Sequence, residues 1–224
     1  MKIDKRKNYY LTIDVETAGS LEEPLVYDIG GAIHDKSGKV YETFSFVIYE
    51  VYAGMRELMQ SAYYANKLPE YEVDLESQHR EMVRWDTVRK HIFFLNKMYN
   101  LKAIIAYNMR FDSSAIKNTT KVLTNGKYKT ILPYGVPIWC SFTMAKQVIV
   151  KQKTFQKWAE RNNKKTTNGR ISATAETVYQ YLSNHDNFTE EHKGLEDVLI
   201  EVEIFARAIA QKKKMRKTHY IPKF

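Results

Sequence analysis

Acidic side chains and one histidine stand at three places in the chain where their types and spacing could support chemistry. Asp14 and Glu16 are separated by one residue, Asp112 stands near the middle, and His192 precedes Asp197 by five positions. Hard divalent cations prefer the oxygen ligands that carboxylates supply. A histidine beside such a cation accepts a proton from water readily, because its ordinary pKa lies near neutrality. The three places together suggest a metal site at which water is activated.

Each place also has a plain structural interpretation, and taken singly each motif leaves that interpretation open. Asp14 and Glu16 project from the same side of a strand because side chains alternate, and two acids at a solvated strand end cost little. Asp112 is typical of an acid at the start of a helix, where the macrodipole stabilises it. His192 and Asp197 also fit a surface histidine beside a capping acid.

The hydrophobic pattern predicts the elements that must position these residues. Runs of aromatic and β-branched residues predict strands at residues 9–15, 27–34, 39–48 and 102–107. Apolar side chains at three- and four-residue steps predict helices near residues 55–62, 83–95, 111–119, 173–182 and 195–211. Strands joined by tight turns come first, and helices and strands alternate afterwards, which predicts an α/β layer structure with a mixed sheet.

The composition of the 224 residues is that of a folded chain, with 44% hydrophobic and 13% aromatic residues. The single cysteine, Cys140, excludes an internal disulfide and a thiolate zinc site. No apolar stretch is long enough to span a bilayer, and the charged start of the chain lacks the apolar region of a secretion signal. We therefore expect a soluble, cytoplasmic protein with no membrane partner.

The net charge of +9 favours a polyanionic partner, because each neutralised phosphate releases counterions. Many soluble proteins are basic without binding nucleic acid, so the charge alone leaves this open. Residues 151–158 mix lysines with Phe155 and Trp158, as single-strand binders do, but an amphipathic helix with both rings in the core is the favoured interpretation. The basic run at residues 212–217 is interpreted as a solvated tail, with salt-sensitive affinity for nucleic acid as the alternative.

The segments around the acidic residues resemble the DEDD 3′–5′ exonuclease family. The matching segments are IDVET at residues 13–17, AYNMRFD at residues 106–112 and HKGLED at residues 192–197. The resemblance is to the subgroup with a histidine five residues before the final aspartate (DEDDh), which includes the proofreading subunit of bacterial DNA polymerase III. A sister subgroup has tyrosine at the position of Lys193. The motifs lie near both ends and in the middle, so the resemblance covers most of the chain.

The resemblance implies roles for nine residues of this sequence. The implied ligands of two Mg²⁺ or Mn²⁺ ions are Asp14, Glu16, Asp112 and Asp197. His192 is implied as the general base, which makes the catalytic set these four acids and the histidine. The implied substrate contacts are Thr17, Ala18, Asn108 and Phe111. The chemistry implied is two-metal hydrolysis that releases nucleoside 5′-monophosphates.

The implied fold is a ribonuclease H-like three-layer α/β/α fold with a central mixed sheet of about five strands. We expect a single exonuclease domain over residues 1–224, with insertions near residues 49–84 and 121–138 that bear on substrate choice, and a basic tail at residues 212–224. Tyr107 stands where many relatives have histidine.

The expected activity is hydrolysis of nucleic-acid 3′ ends, preferably of single-stranded DNA, in DNA replication or repair. The expected partners are single-stranded DNA and a DNA polymerase or other replication proteins. The alternatives are a 3′–5′ exoribonuclease acting on RNA 3′ ends or short oligoribonucleotides and, in a different class, a non-catalytic nucleic-acid-binding protein on the same fold.

Overall fold

A mixed six-stranded sheet forms the centre of the fold in the computed structural model, which describes residues 3–218. The strands are β1 (Tyr9–Ala18), β2 (Leu25–Asp35), β3 (Val40–Ile48), β4 (Glu81–Val83), β5 (Ala103–Ala106) and β6 (Ile138–Cys140). Their spatial order is β4-β3-β2-β1-β5-β6. β2 is antiparallel to β1 and β3, whereas β5 is parallel to β1 and β6, and β4 is parallel to β3. The carboxyl ends of β1, β5 and β6 therefore meet at one edge of the sheet.

Helices connect the strands and cover the sheet. They are α1 (Tyr49–Tyr52), α2 (Arg56–Met59), α3 (Leu68–Glu76), α4 (Trp85–Tyr99), α5 (Met109–Leu123), α6 (Ser141–Ala145), α7 (Lys153–Arg161), α8 (Ala175–Ser183) and α9 (Gly194–Ala210). A 3₁₀ turn (Ala65–Lys67) precedes α3, and a π-helical segment (Lys146–Val150) continues α6. Among residues 3–218, no helix has both the length and the apolar character needed to cross a membrane.

Two apolar cores, on opposite faces of the sheet, hold the layers together. Along β1, Leu11 and Ile13 point into a core that α4 and α5 cover, while Tyr10 points into a core formed with α8 and α9. In β5, Ile104 and Ile105 divide between the two cores in the same way, because neighbouring side chains of a strand point to opposite faces. The predicted three-layer α/β/α architecture with a mixed sheet is confirmed.

The sheet has six strands, in agreement with the prediction of about five, and it includes a strand where the hydrophobic pattern predicts the start of a helix. This strand is β4, and Val83 belongs to it rather than to the predicted helix at residues 83–95, since α4 begins at Trp85. Val83 pairs with Ile48 of β3, and both side chains are buried. Pairing and burial outweigh the helical spacing here.

The basic segment at residues 151–158 enters α7. Phe155 is fully buried and Trp158 is half-buried, where it packs against Phe155 and Tyr181. Both rings belong to the core on the α8 and α9 side of the sheet. The interpretation of this segment as an amphipathic helix is confirmed, and the rings of Phe155 and Trp158 are engaged in packing.

The basic run at residues 212–217 is exposed over most of its length, and its end docks on β6. The N–H of Cys140, in β6, donates a hydrogen bond of 2.7 Å to the carbonyl oxygen of Lys217. The Lys217 Nζ lies 4.1 Å from the ring centre of Trp139. The remainder of the predicted tail, at residues 219–224, lies outside the described residues.

Candidate active site

A cleft of about 820 Å³ opens at the carboxyl ends of β1 and β5, and Asp14, Glu16 and Asp112 line it. Asp14 and Glu16 lie near the end of β1, where both are partly exposed. Asp112 lies in the first turn of α5, which follows β5 after a two-residue connection. Because β1 and β5 are parallel neighbours, the two segments emerge side by side at the same edge of the sheet.

The fourth predicted acid, Asp197, lies in the first turn of α9. The start of α9 reaches the site because Gly194 packs against Gly30 of β2, the residue paired with Asp14 in the sheet. A Cβ atom on Gly30 would lie 2.2 Å from the Gly194 carbonyl carbon, so only glycine permits this approach. The Gly194 N–H also donates to the Asp28 carboxylate at 2.9 Å. These contacts hold the start of α9 against β1 and β2.

Burial raises the pKa of all four predicted carboxyl groups. Burial brings the pKa of Asp112 to about 7, and burial with repulsion from Glu190 brings that of Asp197 to about 8. Burial and the surrounding acids hold the pKa of Asp14 and of Glu16 well above its ordinary value. No ion pair within residues 3–218 joins a lysine or arginine to any of these four acids. Because clustered acids that lack a protein cation ionise together only around a bound cation, this donor set fits divalent metal ions.

His192 lies beside the acids and is held by an aromatic stack. Its ring stacks on Tyr64, with ring centres 4.1 Å apart and planes inclined by 10°. Its Nδ1 lies 4.0 Å from a carboxylate oxygen of Asp197, and one ligand atom from each of Glu16, His192 and Asp197 lies within 4.8 Å of the other two. Burial, and then the charge of Lys67, lower the pKa of His192. The imidazole is therefore neutral near pH 7 and able to accept a proton.

Two carboxyl groups that the sequence motifs do not mark, those of Glu190 and Glu201, also line the cleft. Glu201 lies one turn of α9 after Asp197, is buried, and accepts a hydrogen bond of 3.0 Å from the Tyr107 N–H. Burial, and then repulsion from Asp112, raise the pKa of Glu201 far above its ordinary value. Its signal in the sequence is an acid four residues after Asp197, which places both carboxyl groups on the same face of a helix.

Three of the four predicted substrate contacts, Thr17, Asn108 and Phe111, line the cleft. Ala18 is only 1% exposed, packs in the core under β1, and is not among the residues that line the cleft. Its methyl group is engaged in apolar packing, so a substrate contact from this position would come from the backbone.

The segment at residues 49–84, which the family resemblance predicts as an insertion, contacts the site directly, and local sequence motifs do not reveal this role. Its Arg80 has a fully buried guanidinium that pairs with Asp28 at 3.1 Å and also with Glu196 of α9. The Arg80 Nη1 also donates to the Ser45 hydroxyl of β3 at 2.6 Å. One side chain therefore ties the insertion to the sheet and to the first turn of α9.

Lys193 forms a second connection between the insertion and α9. Its ammonium group pairs with Glu70 at 2.9 Å and with Asp74 at 3.0 Å, both on α3. Lys193 is buried although it stands directly before α9 and next to His192. The Lys193 side chain thus points toward α3 and anchors the loop that carries His192.

No protein-family model matches the sequence, and no curated protein matches it. Solved structures match it in fold. The crystal structure of a full-length 3′-exonuclease superposes with a TM-score of 0.61 at 13% sequence identity, over 95% of this chain and 88% of that chain. E. coli Exonuclease I in complex with a 5cy-dT13 oligonucleotide gives a TM-score of 0.50 at 13% identity, over 88% of this chain.

These similarities establish that the chain has a ribonuclease H-like α/β fold, shared with 3′-exonucleases. The chain spans 40% of the length of E. coli Exonuclease I. At this level of identity the similarity shows the fold. Activity depends on the side chains in the cleft, because one fold can carry many functions.

Proposed function

We propose that this protein is a metal-dependent 3′–5′ exonuclease of the DEDDh type that hydrolyses nucleic-acid 3′ ends, preferably of single-stranded DNA. The observation that carries the proposal is that Asp14, Glu16 and Asp112 line one cleft, while His192 and Asp197 have ligand atoms within 4.8 Å of one on Glu16. These residues come from three distant chain segments that the resemblance independently groups. A fold shared with 3′-exonucleases agrees with the proposal.

The four acids would hold two Mg²⁺ or Mn²⁺ ions, since all the donor atoms that they offer are carboxylate oxygens and none is a thiolate sulfur. Bound ions of this kind supply charge neutralisation at the phosphate and lower the pKa of water. A ring nitrogen of His192 accepts the proton of the attacking water, because burial keeps the imidazole neutral. The water oxygen bonds to the phosphorus of the terminal nucleotide as the bond to the preceding 3′ oxygen breaks. That oxygen takes a proton from solvent, His192 returns its own proton to solvent, and a nucleoside 5′-monophosphate leaves.

The remaining residues would position the strand end. Thr17, directly after the acid pair, would contact the terminal sugar, while Asn108 and Phe111 line the cleft beside Asp112. The proposed setting is DNA replication or repair in the cytoplasm, with a DNA polymerase or another replication protein as partner.

Digestion of 5′-labelled single strands tests the proposal. With Mn²⁺ or Mg²⁺ the protein should shorten unblocked single-stranded DNA from the 3′ end, and a 3′ block or a chelator should stop it. RNA strands run in parallel decide between this activity and an exoribonuclease. Cleavage at internal sites, or a rate indifferent to chelator, contradicts the proposal.

Substitutions test the assigned roles. Asp14→Ala should abolish turnover and weaken Mn²⁺ binding. His192→Ala should slow turnover by roughly 10²–10⁴-fold and leave Mn²⁺ binding largely intact. His185→Ala, at an exposed histidine outside the cleft, is the matched control and should retain the wild-type rate. Full activity of His192→Ala would show that the general base is another group.

A further inference from the structure

A short hairpin at residues 164–172 forms one side of the cleft. The Thr166 N–H donates to the Arg170 carbonyl oxygen at 2.7 Å, and the Ser172 N–H donates to the Lys164 carbonyl oxygen at 2.9 Å. Thr166 and Arg170 both line the cleft. The hairpin thus brings a basic segment of the chain to the same cleft as the carboxylates.

The base of the hairpin is fixed to the chain segments that carry the site. The Tyr107 hydroxyl, one position before Asn108, donates to the Ala173 carbonyl oxygen at 2.6 Å. The Ser172 hydroxyl accepts a hydrogen bond of 2.9 Å from the Thr177 hydroxyl in α8. Because the hairpin is anchored at its base, Arg170 has a defined place relative to the acids.

The charge on this side of the cleft is opposite to that of the carboxylates. Residues 151–170 contain seven lysines and arginines and a single acid, Glu160. Lys146, in the π-helical segment, lines the cleft together with Arg170. None of the ion pairs within residues 3–218 uses Lys146 or Arg170. Two cations therefore face the cleft without a carboxylate of their own.

Large apolar side chains also face the cleft from the other segments that line it. Leu21 and Tyr63 are each 84% exposed, although both line the cleft. Exposed aromatic rings and cations that line one cleft are the combination that binds unpaired bases and their phosphates, since every base offers a face for stacking. A base pair covers the edges of its bases and fills more width than one strand, so this combination favours a single strand.

We infer that Lys146 and Arg170 bind backbone phosphates of a single-stranded nucleic acid on the 5′ side of its terminal nucleotide, with Tyr63 stacking on a base. This inference rests on the proposed function, because it places the 3′ end at the carboxylates. The hairpin and the π-helical segment then bind the part of the strand that lies upstream of the bond that is hydrolysed. The two cations act on strand binding and on preference for length.

Two substrates of different length separate this role from the chemistry. With Mn²⁺, Lys146→Ala and Arg170→Ala should each raise the KM for the single strand (dT)15 by about 5–20-fold. The p-nitrophenyl ester of thymidine 5′-monophosphate lacks upstream phosphates. The fold-increase in its KM should therefore be at least five times smaller than the fold-increase for (dT)15. In the double variant the plot of log KM against log salt should be shallower by about 1.4, the value for two lost phosphate contacts on a single strand.

Arg161→Ala is the matched control, because Arg161 is an exposed cation on α7 that does not line the cleft. Equal effects of Arg161→Ala and Arg170→Ala on (dT)15, or equal effects of Arg170→Ala on both substrates, overturn the inference. Fluorescence anisotropy with labelled (dT)15 in chelator reports binding without turnover. A wild type that binds the strand through Lys146 and Arg170 but hydrolyses neither substrate contradicts the proposed function and supports only the phosphate-binding role of the two cations.

Discussion

The backbone of Gly194 lies directly on the backbone of Gly30, since a Cβ atom at Gly194 would be 2.6 Å from the Gly30 nitrogen. The same hypothetical atom would be 3.2 Å from the carbonyl oxygen of Asp14. The contact therefore sets how closely the start of α9, which carries Asp197, approaches the strand that carries the acid pair.

Gly194→Ala should separate α9 from the sheet and damage the site. The added methyl group would overlap backbone atoms of Gly30, so we expect the free energy of unfolding to fall by about 2 kcal/mol. We also expect a rise of tenfold or more in the Mn²⁺ concentration needed for half-maximal activity. Urea unfolding followed by tryptophan fluorescence and metal titration of the rate measure the two effects.

Gly126→Ala is the control for Gly194→Ala. Gly126 has a φ of +75° with no atom within 4 Å of its Cβ position, so the substitution costs about 1 kcal/mol of backbone strain and should leave the Mn²⁺ requirement unchanged. The steric argument fails if Gly194→Ala requires no more Mn²⁺ than wild type.

Asp112→Asn should stabilise the metal-free protein at alkaline pH. Burial raises the pKa of Asp112 from 3.8 to about 7. The folded protein thus holds a proton that the unfolded chain releases, and in chelator stability is lost as pH rises from about 4 to about 7. Between about pH 5 and about pH 8, the free energy of unfolding should therefore fall by on the order of 3 kcal/mol less in Asp112→Asn than in the wild type. Denaturant unfolding in chelator at the two pH values measures it.

Metal binding provides the second measurement on the same variant. At about pH 8, Mn²⁺ should raise the Tm of the wild type, because the cation binds only the folded state, and should raise that of Asp112→Asn much less. Asp86→Asn, at an exposed acid on α4, should behave as wild type in both measurements. Equal Mn²⁺ stabilisation of wild type and Asp112→Asn would exclude Asp112 as a ligand.

Tyr64→Ala should change the pH dependence of turnover. The Tyr64 ring covers one face of His192, and burial lowers the pKa of that histidine. Removal of the ring admits water, so the pKa should rise toward its ordinary value, and the acid limb of the kcat profile should move to higher pH. We also expect kcat to fall by about tenfold, because the histidine loses its fixed orientation.

Tyr64→Phe keeps the ring and should keep the wild-type pH profile. Tyr63→Ala should raise the KM for a single strand without moving the acid limb. An unchanged acid limb in Tyr64→Ala would show that the stack does not control the protonation of His192.

Arg80→Met should destabilise the fold and the loop before α9. The substitution leaves the buried Asp28 carboxylate without its cation, which costs about 3 kcal/mol. The double variant Arg80→Met, Asp28→Asn should recover part of this loss, because the uncompensated charge is removed. A double-mutant cycle in urea measures the coupling. Arg207→Met, which breaks the exposed pair with Glu203, should cost less than 1 kcal/mol; equal costs for the two arginines would contradict the buried-anchor interpretation.

The parts of the fold that the sequence predicts well are those with a local cause. β1, β2, β3 and β5 follow from runs of aromatic and β-branched residues, and α4, α5, α8 and α9 follow from regular apolar spacing. β4 escapes prediction because it has three residues and exists only through pairing with β3. A strand of this length carries too little periodicity to be distinguished from the start of a helix.

The residues of the site also differ in whether a local sequence signal reveals them. The acids and His192 belong to short motifs, so they can be predicted, whereas Arg80 meets Glu196 across 116 positions of sequence. Nothing near Arg80 in the chain marks it as buried. Tyr64 is one of 16 tyrosines, and only the fold shows that it, rather than its neighbour, covers the imidazole. Contacts of this range depend on how the insertion folds back on α9, which local pattern does not encode.

The docked segment beside β6 has a consequence for self-association. An edge strand with unpaired N–H groups is a template on which a second molecule can add a strand. The hydrogen bond from Cys140 to Lys217 occupies that edge, and the strand at the other edge is only three residues long. The β6 margin is thus protected at this position against strand-by-strand aggregation, and the lysines of the covering segment add repulsion between copies.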